Sequence, residues 1–314
     1  MDSLTKPTVS QVQLEAICRE YLGSKLQSAV ELKDGWFNAA FLLTDVYGQE
    51  AVLKIAPLDT TRVLRYEKAL MHAEVTSMRM VRERTTVPVP EILSYDTTRG
   101  MADSDLFLAE KLPGMPLDRA RPLMTQDAQD AVDLQVGVHL RMLHSLHGCG
   151  HGVFNEPAHA TWRDAFLTMM DWLGHDASDM NVELPEGVFE AGDHLLWALD
   201  EAKTPSFLHW DMWDGNIFVD PQKATVTGYI DFERCMWGDP IIEANYAGPR
   251  PAFLKGYASD ILSRPGARES RLLYDLYLHL ILVIESHFRG YPLEHEAWGR
   301  GKLYETLQAI QTGC

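Results

Sequence analysis

At 314 residues, the chain exceeds the size at which single hydrophobic cores usually stop growing, so two lobes are expected rather than one. Apolar residues at 46% and charged residues at 23% describe a globular chain and argue against disorder. The net charge of −17, from 45 acidic and 28 basic residues, argues against nucleic acid or an anionic membrane as a partner and suits a cationic one.

That charge is uneven. Residues 161–220 hold 13 Asp or Glu against Arg163 and Lys203, so this fifth of the chain carries −11 of the −17. Cys18, Cys149, Cys235 and Cys314 are far apart and form no metal-type pair, which fits a reducing cytoplasm. No signal-like segment opens the sequence, and no apolar run approaches the ~18 residues of a membrane span. The longest candidate, 276–284, is interrupted by His279 and reads as a buried helix.

In chain order, residues 10–22 have apolar positions at helical spacing and predict a helix ending near Gly23. The period then changes to that of strands, around 30–32, 41–47 and 51–55, with Tyr47-Gly48-Gln49 as a hairpin turn. The turn from Lys33 to Ala40 offers only Gly35, Asn38 and two alanines as small residues through which backbone N–H groups could approach an anion. Lys54 interrupts an apolar strand. It takes the solvent side of the alternation or, if buried, needs an anionic partner.

A helix over 63–83 follows, with Glu74 among Leu70, Val75 and Met78 on its inward face and Glu67 among Arg65 and Lys68 on a solvated one. Val87-Pro88-Val89-Pro90 enforces an extended lead into a strand at 91–95. Another strand, 106–112, runs into Pro113-Gly114, and from there helical periods dominate: 128–147, 162–172, 188–199, 271–288 and 298–310. The lobe boundary is expected at 108/109. His139, His144 and His147 read as helix-surface residues.

The stretch His209-Trp210-Asp211-Met212-Trp213-Asp214-Gly215-Asn216, followed by Ile230-Asp231-Phe232-Glu233, holds a carboxylate, an amide and a second carboxylate in polar loops between apolar runs. Phosphoryl transfer needs those types: a proton acceptor for the attacking hydroxyl and oxygen donors for a hard cation on the phosphates. The His-x-Asp-x-x-x-x-Asn spacing with its downstream Asp resembles the kinase-like phosphotransferases, specifically the aminoglycoside phosphotransferase and choline kinase family. The ordered set from Lys54 and Glu74 through Val87–Pro90, Leu143-His144 and His209–Asn216 to Gly238-Asp239-Pro240 carries that resemblance over most of the chain.

The resemblance implies an α+β, two-lobed protein-kinase-like fold, with an antiparallel-sheet N-lobe (1–108) and a mostly helical C-lobe (109–314). It implies Asp211 as catalytic base, Asn216 and Asp231 as Mg²⁺ ligands, and Lys54 oriented by Glu74 on the nucleotide phosphates. Gly35 and Asn38 would lie in the phosphate loop and Glu110 and Leu112 along the adenine edge, with His209 supporting the loop. Asp239 reads as a helix N-cap. The donor would be ATP or GTP and the acceptor a small molecule with a hydroxyl, cationic by the charge argument, such as an aminoglycoside antibiotic or an amino alcohol. The protein would be a monomer or homodimer.

Three features keep alternatives open. Trp210 and Trp213 either narrow the mouth beside Asp211, offering faces to a cation, or pack the loop. Asp214 competes with Asp211 for the role of base, although Gly215 favours a turn. Glu233 stands where protein kinases carry Gly, and no Ala-Pro-Glu follows, which disfavours a protein kinase. A catalytically silent nucleotide-binding scaffold is the main alternative, and a His209-centred metallohydrolase the second.

Overall fold

The computed structural model describes residues 6–33, 35, 37–58, 61–244 and 250–313. Asp34 and Trp36 of the expected phosphate loop, and Cys314, lie outside them. Helix α1 (Gln11–Leu22) is closed at its start by a Ser10–Gln13 capping box and at its end by left-handed Gly23. Its Leu14, Ile17 and Cys18 pack into one core with β1 (Leu26–Glu31), β2 (Ala39–Asp45) and β3 (Glu50–Ile55). Helix α2 (Leu70–Arg84), β4 (Ile92–Asp96) and β5 (Leu106–Glu110) complete the N-terminal part. The five strands form one antiparallel sheet in the order β1-β2-β3-β5-β4.

The expected helix over 63–83 is shorter than its periodicity suggests. Residues 65–67 form a separate 3₁₀ turn, and α2 starts after Ala69 in a left-handed conformation (φ 56°). The cause is tertiary. Leu64 and Tyr66 are buried in the core of the helical part of the molecule rather than against the sheet, so this segment forms a strap between the two. Glu67, expected on a solvated face, is 3% exposed for the same reason.

Beyond β5, a short β6 (Met115–Pro116) leads to α3 (Leu117–Ala120) and α4 (Gln126–His144). The strand expected to run to 112 stops at Glu110. Then come β7 (Gly152–Val153), α5 (Trp162–Asp179), β8 (Ser206–Leu208), β9 (Ile217–Asp220), β10 (Thr225–Tyr229) and β11 (Met236–Gly238). The helices α6 (Ile241–Ala244), α7 (Pro251–Tyr257), α8 (Ala267–Arg289) and α9 (Leu293–Thr312) finish the chain. The helix expected over 188–199 is a 3₁₀ helix over Asp193–Glu201. The architecture is a two-lobed, kinase-like α+β fold.

Two three-stranded sheets, β10-β9-β6 and β7-β11-β8, matter most for function. They fix both ends of the loop between β8 and β9 and the start of the loop after β10. Gly114 (φ +89°) closes the link from the first lobe, because a Cβ there would sit 2.1 Å from the Val219 carbonyl oxygen. Only glycine permits both the conformation and the approach. Gly114→Ala should therefore cost about 2–3 kcal/mol of stability, measured by urea denaturation. An unchanged midpoint would contradict this packing.

Candidate active site

The loop between β8 and β9 is held from behind. The ring of fully buried His209 accepts from the Asp211 N–H through Nδ1 (3.1 Å) and donates from Nε2 to the Ile230 carbonyl (3.0 Å). Both nitrogens are thereby spent, and burial holds the ring below its ordinary pKa. His209 is a structural support and has no lone pair left for a metal. Fully buried Glu243 of α6 accepts from the His209 and Trp210 N–H groups and from His144 Nε2 at 2.7 Å. That anchor offsets the strain of Trp210, which has φ 60°. Glu243 was not singled out in the sequence, and His144, expected at the surface, is buried between it and Tyr257.

Trp210 is also not at the mouth. It is 4% exposed, stacked on Tyr277 at 5.5 Å and edge-on to Tyr66. Trp213 is 48% exposed and lies across Gly215, where a Cβ would meet the indole at 2.2 Å. Asp214 is not a free base. Arg121 and Arg250 both bind its carboxylate and also reach Asp133, and those hydrogen bonds hold Asp214 below the usual carboxylate range despite burial. Asp211 is instead hydrogen-bonded by the Asn216 amide.

Asn216 donates from Nδ2 to the Asp211 carbonyl (2.9 Å) and to its carboxylate Oδ2 (3.1 Å). Its amide oxygen is thereby turned away from Asp211. Burial pushes the Asp211 carboxyl up to about 6; Arg234 opposes that, and repulsion from Asp231 adds to it. Asp231 follows β10 in a left-handed conformation (φ 67°), a strained geometry for a residue other than glycine.

The two lobes meet at Lys54. Its Nζ lies 2.6 Å from Glu74 Oε1 and 2.8 Å from Asp231 Oδ1, so of the two sequence readings the paired one holds. Burial works against the ammonium, but the charges of Asp231, Glu74 and Glu233 outweigh it and raise its pKa. Carboxylate oxygens of Glu74, Asp231 and Glu233 come within 4.8 Å of one another around this cation. Among the described residues, this grouping of potential metal-holding acidic, His or Cys side chains contains no histidine.

Other expected residues lie nearby or at the rim. Asn38 is buried and donates to Glu233 Oε2 at 2.7 Å, while Gly35 is exposed in the preceding turn. Leu112 is buried against Gly228, and Glu110 is exposed at the end of β5. Asp239 caps α6 through Ile241 N–H (3.1 Å) and is fully buried on Arg264 and Tyr274.

A buried ion network stands beside the site. Arg289 binds Glu67 and lies 3.6 Å from Glu285, which in turn pairs with Arg234 at 3.3 Å. Two clefts of about 520 and 580 Å³ flank the 61–70 strap. Neither is lined by Lys54 or Asp211, while the first is lined in part by Glu233 and Arg234.

These residues sit on a kinase-like fold. Residues 28–272 match the APH family, described as the phosphotransferase enzyme family, and the chain belongs to that family. It is 24% identical over 288 residues to a probable ketoamine kinase of Vibrio parahaemolyticus, covering 86% of this chain and 89% of that one. It is 28% identical over 247 residues to a probable ketoamine kinase of Vibrio cholerae, covering 71% and 76%. Among solved structures, apo aminoglycoside phosphotransferase APH(4)-Ia, as a thermostable mutant, superposes with a TM-score of 0.67 at 19% identity, over 94% of this chain and 98% of that one. The streptomycin–ATP–APH(2″)-IIa ternary complex gives 0.66 at 16% identity, over 96% and 99%. The protein is therefore a small-molecule kinase of this family.

The Glu67–Arg289 pair, with side chains 1% and 4% exposed, yields a direct test of the strap. Arg289→Met alone leaves a buried carboxylate unpaired and should cost about 3–5 kcal/mol. Glu67→Leu combined with Arg289→Met should recover most of that in urea denaturation. Equal losses in the single and double variants would contradict the pairing.

Proposed function

We propose that the protein transfers the γ-phosphoryl group of ATP to a hydroxyl of an amine-bearing acceptor, with a ketoamine as the first candidate. The observation that carries this reading is that Asp211, bound by Asn216, lies close to Asp231, which joins the Lys54–Glu74 pair where the two lobes meet. The ketoamine acceptor is supported by the names of the two Vibrio relatives, which align over most of their lengths. An ATP-type donor is supported by neighbouring structures solved with AMP-PNP and hygromycin B or with ATP and streptomycin. An amine on the acceptor also agrees with the acidity of residues 161–220.

In this reading Asp211 takes the hydroxyl proton as the new oxygen–phosphorus bond forms and the bond from the γ-phosphorus to the β,γ-bridging oxygen breaks. Asn216 orients the Asp211 carboxylate. Lys54, fixed by Glu74, neutralises phosphate charge. The amide oxygen of Asn216 and the carboxylate of Asp231 are hard donors that suit Mg²⁺, which would draw off negative charge from the phosphates when bound. Gly35 and Asn38 border the phosphates, and Glu110 and Leu112 the adenine edge.

The base acts as a carboxylate, so protonation removes it. With Asp211 pushed up to about 6, kcat/KM for the acceptor should be flat above that value and fall roughly tenfold per unit below it. Asp211→Asn should lose about 10²–10⁴-fold in turnover while still binding nucleotide. An acceptor panel followed by ³¹P NMR tests the substrate class. Phosphorylation of only neutral or anionic hydroxyl compounds would contradict the amine-bearing acceptor.

A further inference from the structure

We propose that Glu233 is a nucleotide-positioning residue, acting through Asn38 to fix the turn before β2 over the phosphate end of the cleft; this rests on the kinase reading above. Asn38 and Glu233 are 195 positions apart, one at the foot of β2 and the other two residues after Asp231, yet Asn38 Nδ2 donates to Glu233 Oε2 at 2.7 Å. Both side chains are 6% exposed. The Asn38 amide meets the Glu233 carboxyl through its NH₂ end. Among the described residues, the buried amide oxygen of Asn38 has no hydrogen-bond partner.

Glu233 is not an isolated anchor. One of its carboxylate oxygens lies within 4.8 Å of those of Glu74 and Asp231, the two groups that bind Lys54. The turn before β2 is therefore tied to the same cluster that receives the phosphates. A second tie runs in parallel: the Arg289 guanidinium lies 5.2 Å from the centre of the Phe37 ring. Adjacent residues Phe37 and Asn38 are thus fastened to the C-terminal lobe and to the metal loop. With Phe37 and Asn38 held, the chain entering β2 keeps its place beside the Lys54 cluster and bound nucleotide is retained. Glu233 need not touch nucleotide to do this.

The test uses full-length protein and the release of mant-ADP with Mg²⁺ in stopped flow, which requires no acceptor. Asn38→Ala and Glu233→Ala should each speed release about tenfold. The double variant should be no faster than either single one. Glu233→Gln keeps an oxygen to accept from Asn38 and should stay within about threefold of wild type, a rescue that loss of folding would not produce. Melting temperatures identify any unfolded variant, and if Glu233→Ala is one, Asn38→Ala with Glu233→Gln decides the matter. Unchanged release in Asn38→Ala, additive effects in the double variant, or a Glu233→Gln as fast as the alanine variants would overturn the assignment. Failure of wild type to bind mant-ADP at all would instead overturn the kinase reading on which it rests.

Discussion

A single ammonium group holds this site together. Lys54 reaches from β3 to Glu74 on α2 and to Asp231 in the loop after β10, so three distant parts of the chain converge on one half-buried cation. A lysine in that position is costly unless anions surround it. Here Asp231 and Glu74 bind it directly, and Glu233 stands beside them with its carboxyl pushed well above the ordinary carboxylate range by burial and by the charge of Asp231.

The elements around that cation are positioned by buried polar ties as much as by apolar packing. Glu243 and His209 hold the backbone of the loop that presents Asp211. The strap before α2 plants Leu64 and Tyr66 in the C-terminal core and binds Arg289 through Glu67. That strap sets where α2, and with it Glu74, lies relative to the catalytic loop. Motion between the lobes is thereby restricted on the α2 side, while the turn before β2 is fastened separately through Asn38 and Phe37.

Much of this was legible in the sequence because it is local. The strand period around Lys54 and the inward face of Glu74 follow from periods of two and 3.6 residues, whereas the roles expected of Asp211, Asn216 and Asp231 came from the resemblance to the kinase-like phosphotransferases. What failed depended on partners far away in sequence. Glu67 looked solvated beside Arg65 and Lys68 until Arg289, 222 positions on, supplied a buried partner. His144 looked superficial because Tyr257 and Glu243, its two partners, lie more than 90 residues downstream. Asp214 competed with Asp211 only until Arg121 and Arg250 were seen to hold it. Part of the acidity of 161–220 is offset by cations from outside the segment, since Arg65 pairs with Asp176 and Asp179, and Arg121 and Arg250 with Asp214.

The central claim is that the Lys54 cluster is the phosphate end of a nucleotide cleft. Calorimetric titration of ATP with Mg²⁺ into wild type and Lys54→Met tests it most directly. The account predicts that the methionine variant, which keeps the aliphatic bulk and loses the cation, remains folded and binds nucleotide at least about tenfold more weakly. Equal affinity for the two proteins would contradict it.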